Sequence, residues 1–358
     1  MKSCATVAVG CNMSGETIND APGTDSSVKE PYRAADWSEP GTGKGWQYRF
    51  FWRLIRTFGK RPAYHISYIV TFWYVLLFPS VRKRCRYYLD HRFPDRQGKA
   101  RRFLDSYHLI REFGKTLVDI AAFGILGKSS MVNVCSDVQR IRELCGREKG
   151  VILLNAHCGC WQVSLAALEN LRKPVSLLMV PDPRSQALAD PCAAKVIDPR
   201  TGLTGVIAVT QALLRGEVVA IMGDRTFGDV QNVIAASFLG KKVFLPLSPY
   251  RLASATGVPI VVLLAPRTGL KTYELRLARV IEVPPGLGRS DKEYVTYAQQ
   301  FIACLEEFVQ EYAWQFFNFY DLWHDGASAD NHRKPDAGSR TRSAAPASGE
   351  RRLETARE

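Results

Sequence analysis

The sequence lacks several features that would place it in common protein classes. It has no N-terminal pattern of positive charge, apolar stretch and small-residue cleavage site, and it has no internal repeat. Its nine cysteines are odd in number and irregularly spaced, so they predict no disulfide framework. These absences favour a reducing, cytosol-facing setting. What is present, 358 residues of which 46% are hydrophobic, is enough for a folded protein with an enclosed active site.

Acidic residues are scarce in one segment of the chain. Between Lys44 and Arg102 there are fifteen lysines and arginines, and the only acidic residues are Asp90 and Asp95. The net charge of this segment is therefore +13, the same as that of the whole chain. The same segment contains the most apolar and aromatic stretch of the protein, "YIVTFWYVLLF". This combination is typical of a chain that meets an anionic membrane surface. A nucleic-acid-binding face does not require it, and we predict no nucleic acid partner.

Two helices are predicted within this basic segment. From 46 to 58 apolar residues recur at helical spacing with basic residues on the other side, as in an interfacial helix. From 63 to 78 the chain is uncharged, and Pro62 suits a first helical turn. These sixteen residues give roughly 24 Å of helix, less than the ~30 Å hydrocarbon core. The second helix is therefore expected either to span the membrane as a short, untilted helix or to lie deeply embedded in its surface.

The rest of the chain predicts an α/β domain between two tails. Residues 1–40 and 325–358 have the composition of disordered tails, 44–80 form the amphipathic and membrane-anchor helices, and 81–324 form the catalytic domain. A helical region precedes an alternation of strands and helices, which favours a mostly parallel central sheet flanked by helices. The predicted strands are 151–155, 175–180, 218–222, 259–264 and 273–283; the predicted helices are 100–127, 136–147, 161–171, 203–214, 249–255 and 294–312.

The stretch "LLNAHCGCWQVSL" at 153–165 is the main candidate for chemistry. His157 lies two residues beyond a predicted strand end, where ligands bind in open α/β sheets. A histidine there could act as a general base or could simply close the strand. Cys158 and Cys160 could be metal ligands, a redox pair or packing residues; no second ligand cluster accompanies them, which favours packing.

Beyond these residue-level alternatives, "AHCGCWQ" resembles the first motif of the late lipid A biosynthesis acyltransferases of the lauroyl/myristoyl type. This family lies within the lysophospholipid/glycerolipid acyltransferase superfamily, whose hallmark is H-x-x-x-x-D/E. Further strings follow in the order of the family: "MGDRTFG" at 222–228, "FLGKKVFLPLSPYRLASATGVPIVVL" at 238–263 and "WQFFNFYDLW" at 314–323. The resemblance covers about residues 34–323.

The resemblance implies an acyltransferase of the cell inner membrane, with its catalytic domain on the cytoplasmic side. It would move a fatty acyl chain from an acyl thioester, on acyl carrier protein or coenzyme A, to a hydroxyl of a membrane lipid acceptor. The implied general base is His157, and no cofactor or metal is implied.

At the position of the family acid this chain has Gln162. A neutral amide can hold an imidazole but offers no charge to stabilise imidazolium. Three explanations are open: the site works with a weaker helper, a carboxylate from elsewhere supplies the charge, with Asp224 the best candidate, or the protein is a catalytically silent binder of acyl lipids or of the acyl carrier.

Further candidates follow the strand at 218–222, which should end at the same crevice. Asp224 could orient His157 or Arg225, and Arg225 could bind a phosphate or carboxylate; alternatively the two form a structural pair at a strand end. Lys241 and Lys242 could attract an acidic carrier or headgroup, or belong to a solvated hairpin. The residues assigned to substrate binding are Gly223, Arg225, Trp161, Lys241 and Lys242.

Overall fold

The computed structural model describes residues 45–127, 130–162, 173–180, 194–225 and 232–323. Within them the helices are α1 (Gly45–Phe58), α2 (Lys60–Leu77), α3 (Pro79–Arg92), α4 (Lys99–Leu126), α5 (Val138–Cys145), α6 (Leu203–Leu214), α7 (Ser248–Thr256) and α8 (Val295–Glu311). The strands are β1 (Val132–Cys135), β2 (Val151–Asn155), β3 (Val175–Leu178), β4 (Lys195–Ile197), β5 (Val218–Met222), β6 (Val233–Phe238), β7 (Lys241–Pro246), β8 (Ile260–Leu264) and β9 (Thr272–Ile281).

A seven-stranded sheet in the order β1-β9-β8-β2-β5-β3-β4 forms the centre of the fold. The five strands from β8 to β4 are mutually parallel, whereas β9 pairs antiparallel with β8 and parallel with β1. Strands β2, β5 and β8 are short and rich in Val, Ile and Leu, as expected for strands covered on both faces. The expected α/β fold with a mostly parallel sheet flanked by helices is confirmed.

Two apolar clusters cover the two faces of this sheet. Ile152, Leu154 and Ile221 belong to the cluster that includes residues of α6, α7 and α8. Val151, Leu153 and Val218 belong to the cluster that includes α5. Because successive side chains of a strand point to opposite faces, these strands contribute to both clusters.

The N-terminal helices pack on α4 in an unusual way. The buried face of α2 carries Lys60, Ala63, Tyr64, Ser67, Thr71 and Val75, whereas most of its large apolar residues point outward. Ile69 and Leu77 are 61% and 62% exposed. Among the described residues no single helix is long and apolar enough to cross a membrane; α2 and α3, bent by 96° at their junction, pass such a test of length and composition only as a pair.

Several sequence-based boundaries need correction. Strands β1, β4, β6 and β7 were not predicted. Strands β1 and β4 are short and lie at the edges of the main sheet, where burial imposes little pattern, and β6 and β7 form a separate hairpin. The predicted strand 175–180 ends at Leu178, and the last long helix ends at Glu311. The helix predicted at 161–171 is described only for its first two residues, and the two predicted tails lie outside the described residues.

Candidate active site

The register of the sheet brings His157 and Asp224 together. Strands β2 and β5 are adjacent and parallel, with Asn155 paired to Met222. His157 and Asp224 each lie two residues beyond these partners, so equal offsets carry both side chains to the same crevice at the carboxyl edge. The expected convergence of the two segments is therefore observed.

The contact between the two residues involves both oxygens of the carboxylate. His157 Nδ1 lies 2.9 Å from Asp224 Oδ1, and the backbone N–H of His157 donates to Asp224 Oδ2 at 2.9 Å. Asp224 is fully buried, whereas the side chain of His157 is 23% exposed. Since an ionised carboxylate can only accept, Nδ1 carries the proton and Nε2 is left as the nitrogen that can take one.

Burial and charge act in opposite directions on this pair. Burial lowers the pKa of His157, Asp224 opposes that change, and Arg225 adds to it; the net pKa lies below the usual value for histidine. For Asp224, burial raises the pKa, but His157, its hydrogen bonds and Arg225 outweigh this and hold the pKa below its usual range. At neutral pH the site therefore holds a neutral imidazole beside an ionised carboxylate.

The turn after β2 requires glycine at one position. Gly159 has φ of +58°, and a Cβ there would lie 2.1 Å from the carbonyl oxygen of Ala265. The neighbouring Cys160 N–H donates to that same oxygen at 2.9 Å. Close approach of the two backbones holds the turn in place directly after His157.

The aromatic segment near the end of the described chain runs alongside this turn. Phe317 N–H donates to the carbonyl of His157 at 2.5 Å, and Gly159 N–H donates to the carbonyl of Gln315 at 2.8 Å. An antiparallel bridge joins Cys158 to Phe316. The segment packs in the core; Ala313–Gln315 forms a 3₁₀ turn and the remainder, to residue 323, is irregular or extended.

One residue of this segment reaches the pair and was missed by sequence reasoning. Asn318 Nδ2 lies 3.0 Å from the carbonyl oxygen of Asp224 and 3.2 Å from its Oδ2. The side chain of Asn318 is buried. The motif "WQFFNFYDLW" contains this asparagine. No sequence pattern predicts that a single asparagine among aromatic residues will contact a carboxylate 94 positions away.

Gln162 has a different partner. Its Oε1 accepts from Cys160 Sγ at 3.4 Å. The carboxylate that contacts His157 comes from β5 rather than from the position four intervening residues after the histidine. Cys158 and Cys160 are both buried, in the clusters on opposite faces of the sheet, which fits the packing alternative.

The remaining predicted substrate-binding residues occupy varied positions. Arg225 is largely enclosed and donates to the carbonyl of Phe317 at 3.4 Å. Gly223 is buried, and a Cβ there would meet Leu154 and Phe301 at 2.8 Å, so packing alone accounts for the glycine. Trp161 is partly buried against the cluster beside α5. Lys241 and Lys242 are exposed and paired with Phe238 and Ser237 in the β6–β7 hairpin. Their roles stay predictions.

Within the described part of the chain, no three side chains of the kinds His, Cys, Asp and Glu are grouped so as to hold a metal ion. Cys192 lies outside the described residues.

A histidine held by a buried carboxylate at the carboxyl edge of an α/β sheet can serve as a general base. The model of the bacterial lipid A biosynthesis acyltransferase family matches residues 33–325, so the chain belongs to this family and is a lipid acyltransferase. No curated protein matches the chain. Among solved structures, the crystal structure of the 1-acyl-sn-glycerophosphate acyltransferase PlsC from Thermotoga maritima matches with 12% identity and a TM-score of 0.35, covering 71% of this chain and 98% of that one.

Proposed function

We propose that the protein transfers a fatty acyl chain from an acyl thioester to a hydroxyl of a lipid or glycolipid acceptor, in biosynthesis of the lipid A type. The donor is acyl carrier protein or coenzyme A carrying the acyl group. The observation that carries this proposal is the contact of His157 Nδ1 with Asp224, in a chain of the acyltransferase family.

His157 acts as the general base in the proposed reaction. With Nδ1–H held by Asp224, Nε2 takes the proton of the acceptor hydroxyl as its oxygen bonds to the thioester carbonyl carbon. The C–S bond then breaks, and the departing sulfur takes the proton from His157. Asp224 stabilises the imidazolium that exists between these steps, as the carboxylate does in histidine–aspartate pairs generally.

Cationic residues near the site are proposed to bind the anionic parts of the substrates. Arg225 directly follows Asp224, and its guanidinium suits a phosphate or carboxylate. Lys241 and Lys242 are exposed, and we propose that they attract an acidic carrier or a headgroup. Trp161 completes the proposed substrate-binding residues, whereas packing against Leu154 and Phe301 accounts for Gly223.

The alternative of a catalytically silent acyl-lipid or carrier-binding protein depended on Gln162. The contact between Asp224 and His157 supplies the carboxylate that Gln162 cannot, so the missing acid no longer favours a silent protein. We therefore propose that Asp224 performs the task of the family acid.

The surface of α2 supports association with a bilayer. Small and polar side chains pack against α4, where Gly114 allows close approach to Thr71 and Ser67, while large apolar side chains face outward. This inversion of the usual pattern is typical of helices in contact with lipid. Exposed basic residues in α1 and α3, including Arg53, Arg56 and Arg86, add attraction for anionic headgroups. We propose attachment to the inner membrane with the catalytic domain on the cytoplasmic side.

Acyl transfer is tested with purified protein in detergent, labelled acyl thioesters and lipid acceptors. His157→Ala should lower turnover by a factor of about 10² to 10⁴. The matched control is His332→Ala, which removes a histidine of the predicted C-terminal tail. Full activity in His157→Ala would show that the base is wrongly assigned. Mass spectrometry of lipids from cells with and without the gene should show a mass difference of one acyl chain.

Membrane attachment is tested by flotation with vesicles containing phosphatidylglycerol. Ile69→Ser with Leu77→Ser should weaken vesicle binding by at least about tenfold, because two large apolar side chains leave the lipid. The control pair, Val132→Ser with Val134→Ser, removes two exposed apolar side chains from β1. Equal loss in both pairs, or none in the first, would contradict docking through α2.

A further inference from the structure

Asn318 contacts the carboxylate that holds the histidine. Its Nδ2 donates to Asp224 Oδ2 at 3.2 Å and to the backbone carbonyl of Asp224 at 3.0 Å. An amide nitrogen has two hydrogens, so both bonds can exist together. Asn318 is only 1% exposed, so bulk water has little access to these bonds.

The orientation of this amide is determined independently on its other side. Asn318 Oδ1 accepts from the backbone N–H of Tyr320 at 3.1 Å. A flipped amide would place the NH₂ group against an N–H donor and its oxygen against a carboxylate, which is unfavourable at both ends. The donor side of Asn318 is therefore directed at Asp224.

The backbone around Asn318 is pinned to the catalytic turn. Phe317 N–H donates to the His157 carbonyl, and the side chain of Gln315 bonds both the N–H and the carbonyl of Arg267 at 2.8 and 2.9 Å. These bonds set the register of the segment against the turn after β2. Asn318 is thus held in position by the same backbone contacts that hold His157.

Together these contacts hold both carboxylate oxygens. Oδ2 accepts from the His157 N–H and from Asn318, and His157 Nδ1 lies 2.9 Å from Oδ1 and 3.1 Å from Oδ2. Donors to a carboxylate favour its ionised form and restrict its rotation. Both effects keep a negative oxygen in front of Nδ1.

We propose that Asn318 is a positioning residue of the acyl transfer, which keeps Asp224 ionised and aimed at His157. This inference rests on the proposed function. It makes the site a chain of three residues from three segments: the turn after β2, the end of β5 and the segment after α8.

The test is Asn318→Asp, assayed for kcat/KM across pH beside the wild type. The variant keeps the oxygen that accepts from Tyr320 and replaces only the donating NH₂ by a second oxygen. The new carboxylate faces Asp224. At high pH both carboxylates are ionised and repel each other; at lower pH they share one proton, and this proton takes the place of the amide hydrogen that was lost. The activity ratio of variant to wild type should be below about one tenth at high pH and should recover as the pH falls.

Asn133→Asp, which makes the same charge change on exposed β1, should give a ratio close to one at every pH. A ratio for Asn318→Asp that stays near one, or that is lowered equally at all pH values, overturns the inference. An inactive wild type, or an active His157→Ala, would instead contradict the proposed function.

A second variant covers a failure of Asn318→Asp to fold. Asn318→Ser removes the amide donors but adds no charge. It should lower kcat while leaving KM for the acyl thioester unchanged, because the contact acts on the base in the transition state. A change confined to KM, or no change in kcat, would also overturn the inference.

Discussion

Asp224 and Asp119 are both fully buried, and each is held by polar side chains from distant parts of the chain. Asp119, on α4, accepts from Lys60 Nζ at 2.7 Å, from the hydroxyl of Tyr64 and from the hydroxyl of Tyr273 at 2.5 Å. Asp224 accepts from backbone and amide N–H groups and from one imidazole. The two carboxylates share burial and pairing, and they differ in what their partners can do next.

The hydrogen-bond donors to Asp119 are themselves buried, whereas one partner of Asp224 opens onto the crevice. Lys60 is 5% exposed and neutralises Asp119 inside the junction of α2, α4 and β9. His157 has a second ring nitrogen and reaches the crevice at the carboxyl edge of the sheet. Burial of a carboxylate with a charged partner is therefore not enough to identify a catalytic site; a partner that can exchange a proton with a ligand is also needed.

The largest expected effect comes from Asp224→Asn. The amide keeps the shape but cannot stabilise imidazolium and can favour the wrong tautomer, so kcat should fall by about 10⁴, as for the analogous change in serine proteases. Because Asp224 raises the pKa of His157 against the effect of burial, its removal should lower that pKa further. The acid limb of the residual pH profile of kcat/KM should therefore move to lower pH.

The melting temperature of Asp224→Asn separates catalysis from folding. The variant should remain folded at the assay temperature, but its melting temperature should fall because the amide has one acceptor oxygen where the carboxylate has two. Substantial activity in this variant would mean that another group serves His157. An upward shift of the acid limb would contradict the assigned charge on Asp224.

Asp119→Ala should have its main effect on stability. The change leaves the Lys60 ammonium buried without its counter-ion, which typically costs about 3 to 5 kcal/mol. Unfolding in urea, followed by circular dichroism in detergent, measures this loss. Activity per folded molecule should remain near that of the wild type, in contrast to Asp224→Asn.

A double variant tests whether the unpaired charge of Lys60 causes this loss of stability. Lys60→Met with Asp119→Leu removes both charges together, and it should recover most of the lost stability because no unpaired charge remains. If the double variant is as unstable as Asp119→Ala, lost packing rather than an unpaired charge explains the effect. A normal unfolding midpoint in Asp119→Ala would show that the pair contributes little.

The sequence predicted one of these carboxylates and not the other. His157 and Asp224 each lie two residues past a short apolar strand, and parallel strands end at a common edge, so their meeting followed from local patterns. Lys60 and Asp119 are 59 residues apart on two helices, and helical spacing identifies the faces of helices but not which faces meet. Asn318 was missed for the same reason, since only tertiary structure brings its segment to the turn.

Gly159→Ala should displace the turn that carries His157, and it leaves Asp224 and Asp119 themselves unchanged. The added Cβ would overlap the Ala265 carbonyl oxygen, and the backbone must leave the left-handed region, at a cost of roughly 1 to 3 kcal/mol. Turnover should fall more than stability, because the displaced turn carries His157. Gly124→Ala on α4, where nothing lies within 4 Å of the new atom, is the control and should keep wild-type turnover.

The smallest effect is expected for Gln162→Glu, which places a carboxylate at the position of the family acid. Gln162 contacts Cys160 Sγ, and Asp224 already occupies Nδ1 of His157, so kcat should change by no more than roughly twofold. Gln211→Glu, on the exposed face of α6, makes the same charge change and is the control. A large gain in turnover from Gln162→Glu would mean that Asp224 does not fully replace the family acid. Asp224 would then resemble Asp119 in contributing more to the structure than to catalysis.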